Sequence, residues 1–102
     1  MSLDNQTRKS FRSIGHQLHP LVIVKSLSAN VHAEIDRALT DHELIKIRVL
    51  AEEREEKKVL VTTICQQQKA ELVQLAGHVA LLYRPAAKPN PQLSNLLRHK
   101  SS

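Results

Sequence analysis

The stretch VHAEIDRALTDHELIKIRV, residues 31–49, changes its hydrophobic period in mid-course, and that change constrains the fold more than any other feature. In its first half Val31, Ile35, Ala38, Leu39 and His42 recur at helical spacing and draw one stripe along a helix. Ser28 or Asn30 can cap its start, and Asp41-His42-Glu43 interrupts the stripe at its end. From Leu44 the period is two. Ile45, Ile47 and Val49 point one way and Leu44, Lys46 and Arg48 the other, the pattern of a half-buried strand. A helix that delivers two cations on the open face of a strand suits an anionic polymer.

The flanking segments extend this unit. Leu3, Thr7, Phe11, Ile14 and Leu18 recur at helical spacing behind Asp4, an N-cap residue type, which predicts a helix over residues 5–14. Gly15 is expected to stop it in the left-handed conformation, and Arg8, Lys9 and Arg12 occupy its outer face. After Pro20 the run Leu21 to Val24 reads as a central strand buried on both faces. Strand, helix and strand then form a right-handed parallel crossover. Residues 52–69 combine a β-prone VLVTTIC with a glutamate-rich start. The glutamates, and a shared face of Leu60, Val61, Ile64 and Cys65, favour a helix. Glu71 to Leu75 and Val79 to Arg84 read as a hairpin around Gly77-His78, where Gly-x fits a type II′ turn. The expected order is α-β-α-β-α-β-β, an α/β chain of the α+β two-layer kind with a four-stranded mixed sheet packed against helices.

Residues 1–85 are expected to fold as one domain, and 86–102 to form a basic, proline-containing tail. Leu93, Leu96 and Leu97 are spaced for one docking turn of helix, but the polar PAAKPNPQ linker favours disorder.

Composition narrows the functional classes. Aromatic residues make up 2% of the chain, Phe11 and Tyr83, so the core is aliphatic and no row of base-stacking rings exists. The lone Cys65 rules out an internal disulfide and fits a reducing compartment. No apolar run reaches the roughly 20 residues of a membrane span, and no signal-peptide core begins the chain, so a cytoplasmic location is expected. The net charge of +5 is uneven: residues 85–102 hold three cations and no acid, whereas residues 52–84 balance at five each. Such a balance favours nucleic acid or anionic surfaces.

Catalysis finds little support. His16 and His19 are three apart, but Gly15 and Pro20 break the helix that would align them on a metal. Cys65 lies on an apolar helix face, and Asp36, Glu43 and the glutamates of the third helix read as solvated groups and dipole partners. The glycines, Gly15 and Gly77, form no phosphate-binding loop. No enzyme activity, cofactor, metal or small-molecule substrate is expected. The binding candidates are Lys46 and Arg48 on the strand, Arg8, Lys9 and Arg12 on the first helix, Lys25 after the first strand, and Arg84 after the last. They match the phosphates of a structured RNA read by backbone and shape.

Three ordered segments carry a family resemblance. AEIDRALTDHELIKIRV resembles the central helix and strand of YhbY-type CRM domains. LHPLVIV (Leu18 to Val24) resembles their first strand, and GHVALLYRP (Gly77 to Pro85) their closing one. Together they span about residues 7–85. The resemblance implies a fold similar to the C-terminal domain of translation initiation factor three. It also implies a small, monomeric bacterial RNA-binding protein associated with ribosomal RNA in large-subunit precursors. The family usually carries a G-x-x-G loop after the first strand. Here Lys25-Ser26-Leu27-Ser28 stands instead, where Lys25, Ser26 and Ser28 can still meet phosphate. Two functions therefore follow: an RNA-binding factor of ribosome assembly, or a protein-interaction module that kept the fold and lost RNA binding with its glycines.

Overall fold

The computed structural model describes residues 3–90 and 92–96. Among them the order is α1 (Asn5–Gly15), β1 (Pro20–Val24), α2 (Ala29–His42), β2 (Leu44–Val49), α3 (Arg54–Gln68), β3 (Glu71–Ala76) and β4 (Val79–Tyr83). This is the expected α-β-α-β-α-β-β order, and residues 54–68 are helical despite their β-branched run.

The strands lie in the order β1-β2-β4-β3. β1 and β2 are parallel, as the α2 crossover requires, and the other two pairings are antiparallel. Ile45, Ile47 and Val49 face α2 and α3, and their burial is complete. Val22, Val24, Ile35, Leu39, Val61, Ile64, Ala80 and Leu82 close the same cluster. Each fully buried aliphatic side chain of this kind contributes about 1.5–3 kcal/mol.

α1 lies on the other face of the sheet. There Leu44, Val73 and Leu81 form a second, smaller cluster beneath Phe11, Ile14, Leu18 and Tyr83. Asp4 caps α1 as expected, its carboxylate accepting from the Thr7 N–H at 2.7 Å. Gly15 has a different role from the one its type suggests. It is not left-handed; it is the last helical residue, with His16 as a right-handed C-cap. A Cβ at Gly15 would lie 2.7 Å from a Leu81 methyl, so glycine allows the helix end to approach the sheet. Gly77 does take a positive φ, 58°, at the β3–β4 turn, and His78 does not, the combination a type II′ turn uses.

Two further expectations are corrected. β1 is an edge strand, not a central one. Leu21 and Ile23 are 50% and 59% exposed while Val22 and Val24 are buried. Pro20 does not distinguish the two cases, because proline is tolerated as the first residue of either kind of strand. Residues 92–96, after the linker, also pack on the domain. Ser94 and Asn95 are buried, and the Asn95 amide donates to the Leu44 carbonyl at 2.7 Å. The expectation for Leu97 lies outside the described residues.

Candidate functional site

The alternation of β2 sets the site. Lys46 and Arg48 project from the face opposite the main core, and register puts Ile23 of β1 beside Arg48 on that same face. α1 covers one end of this face and leaves the other end open. Arg48 is exposed and, among the described residues, its side chain makes no hydrogen bond or ion pair. Lys46 is partly buried, its ammonium donating to the Leu18 carbonyl at 3.2 Å, which anchors the lysine where the chain leaves α1. Leu18, His19, Leu21 and Lys46 line a common cleft of about 420 Å³.

Lys9 and Arg12 are exposed on α1, on the same side of the sheet. With His16 and Gln74 of β3 they line a second cleft of about 400 Å³. Lys25 and Ser26 are exposed just beyond β1. Ser28 is the N-cap of α2, its hydroxyl oxygen accepting from the Val31 N–H at 3.2 Å. Glu34, Asp36 and Asp41 of α2, and Glu55 and Glu56 of α3, stand on helices of the opposite face. Arg37, Arg54, Lys57 and Lys58 on the same helices nearly balance these acids, so the excess of cations lies on the α1 side of the sheet.

The remaining two candidate arginines hold the fold. Arg8 donates from one guanidinium nitrogen to the carbonyls of Leu72 and Val73, at 2.6 and 2.9 Å. Both lie on the edge strand β3, where its register with β4 shifts. Arg84 lies on the α2/α3 side and is only 18% exposed. It pairs with the Asp36 carboxylate at 3.0 Å and donates to the Asp36 carbonyl, the Thr40 hydroxyl and the Gln68 side chain. Neither arginine shares the surface of Lys46 and Arg48.

Glu43 departs most from the sequence reading. It is buried, not solvated, and closes α2 at a φ of 62°. Its carboxylate accepts from the Ser94 hydroxyl at 2.9 Å and from the Ala86 N–H at 3.2 Å, fastening the C-terminal segment to the start of β2. Burial, and secondarily the Glu43 charge, raise the Tyr83 phenol above its ordinary pKa. The Tyr83 ring packs on Phe11 with centroids 4.8 Å apart. Burial, aided by Glu71, pushes the Cys65 thiol up to about 11, so it stays protonated at neutral pH. Among the described residues no group of three His, Cys, Asp or Glu side chains could hold a metal, and no helix is long and apolar enough to cross a membrane.

These elements define a small α+β domain built around an open sheet face that carries cations. The chain belongs to the CRS1/YhbY (CRM) domain family, whose model matches residues 3–84. It is 45% identical over 100 residues to a Pseudomonas aeruginosa protein described as a probable RNA-binding protein, with 96% of each chain covered. A Haemophilus influenzae protein described as an RNA-binding protein is 36% identical, with 90% of this chain and 95% of the relative covered. The solution structure of a hypothetical protein from Staphylococcus aureus superposes with a TM-score of 0.76 at 28% identity, covering 91% of this chain and 98% of that one.

Proposed function

We propose that this chain is an RNA-binding protein that acts on ribosomal RNA during assembly of the large ribosomal subunit. One observation carries the reading: a member of a family whose relatives are described as RNA-binding presents Lys46 and Arg48 on an uncovered sheet face, with Lys9 and Arg12 on the same side. Cations arranged this way neutralise backbone phosphates and release their counterions. The ribosomal target rests on the resemblance to YhbY-type proteins. In the loop after β1, Lys25 takes over by reach the phosphate contact that glycine amides make in the family, because Cβ atoms hold the backbone away. Arg8 and Arg84 are left out of the site.

Two measurements test this. In a sedimentation gradient of cell lysate the protein should travel with large-subunit precursors; its absence from every ribosomal fraction would remove the ribosomal assignment. Lys46→Ala with Arg48→Ala should weaken binding to ribosomal RNA and flatten the salt dependence by about one unit of slope per lost phosphate contact. An unchanged slope would exclude this face. Wild-type protein that binds no RNA at low salt would favour a protein-interaction module instead.

A further inference from the structure

Leu21 and Ile23 are exposed on a strand whose alternate residues are buried, and nothing in the cationic role explains them. Ile23 lies directly across from Arg48, and Leu21, at the register shift between Pro20 and Val22, lines one cleft with Lys46 and another with Glu34, Arg37 and Asp41 of α2. Side chains two apart on a strand stand roughly 7 Å apart, and the neighbouring strand lies about 4.8 Å away. The result is an aliphatic platform, about the size of one or two nucleobases, edged on its β2 side by two positive charges. We propose that this face receives unpaired nucleotides: Leu21 and Ile23 pack against the flat faces of one or two bases, and Lys46 and Arg48 hold the flanking phosphates. The inference rests on the RNA-binding reading and adds to it the strand state of the RNA.

The chemistry selects this occupant. In a paired A-form helix the base faces are stacked on one another, leaving phosphates, hydroxyls and groove edges at the surface. Aliphatic side chains gain nothing from such a target, whereas an extruded base offers an apolar face next to an anionic backbone. A second copy of this chain is a poorer match. A twofold self-interface here would bring Lys46 and Arg48 of one copy against those of the other, and like charges in contact oppose association.

The test compares two RNAs of equal length, a single-stranded oligonucleotide and a fully paired duplex, on wild type and on Leu21→Ser with Ile23→Ser. The double variant should bind the single strand about tenfold more weakly, as expected when two aliphatic side chains no longer bury apolar surface against a base, yet keep its salt slope and its duplex affinity. Equal losses on both RNAs, or none on the single strand, would overturn the platform. Duplex binding by wild type would survive that result, so the RNA-binding reading stands or falls separately. A wild-type dimer in sedimentation equilibrium that the variant converts to monomer, with RNA affinity unchanged, would give the face to a second copy and overturn the proposal. Should the variant melt early, methyl NMR of the wild-type protein replaces it. The Leu21 and Ile23 methyl signals should shift with the single strand and not with the duplex; unmoved signals would refute the contact.

Discussion

Among the arginines, charge alone does not decide function; the surroundings of the guanidinium do. Arg84 is enclosed by Asp36, Thr40 and Gln68, whereas Arg48 faces solvent. Arg84→Ala should destabilise the domain by about 1–3 kcal/mol, because it strips hydrogen bonds from partly buried acceptors while the exposed Asp36 limits the ion-pair share. Arg48→Ala should stay within about 0.5 kcal/mol of wild type. Leu39, fully buried on α2, sets the upper end, and Leu39→Ala should cost about 2–5 kcal/mol. Urea unfolding should show the largest loss for Leu39→Ala, a smaller one for Arg84→Ala and the least for Arg48→Ala, and a large loss for Arg48→Ala would reveal an unseen partner. The sequence could not separate the two arginines, since Arg84 depends on acceptors 16 to 48 positions away in the chain.

At the scale of single elements, local rules carried most of the information. Asp4, the stripe of α2, the glutamates before α3 and the Gly77 turn each depend on residues within one or two turns of each other, and each matches its element. β1 escaped because a run of four aliphatics looks alike whether both faces are buried or one stays open. Gly15 escaped because its constraint comes from Leu81, on another element. The α1 cap also makes a pH prediction. The backbone N–H of Thr7, and secondarily its side chain, hold the Asp4 carboxyl below the usual carboxylate range. A depressed folded pKa means the charged cap stabilises fully above about pH 4 and loses that contribution as pH falls through the folded value. Asp4→Ala should therefore lower the melting temperature at pH 6 and by less near pH 2. A difference independent of pH would show that the carboxylate charge is irrelevant to the cap.

For the whole molecule, the least legible feature is how the C-terminal segment is fastened. Glu43 reaches Ser94 across 51 positions of sequence, and no periodicity or motif announces such a link. Glu43→Ala should release it. Amide hydrogen exchange should rise in residues 92–96 and in residue 86 while the β2–β4 ladder stays protected, and equal acceleration across both would mean that Glu43 supports the whole core. The strand order has a consequence for how the chain is made. β2 sits between β1 and β4, so its inner edge waits for a strand that follows it by about thirty residues. At typical synthesis rates that wait lasts roughly 2–6 seconds. During it Ile45 and Ile47 belong to an unfinished sheet with one edge bare, the state in which nascent chains most readily pair with the wrong neighbour. The α3 segment emerges within that interval, and by shielding the apolar face of β2 before its partner arrives, it can act as a built-in guard for the newborn chain.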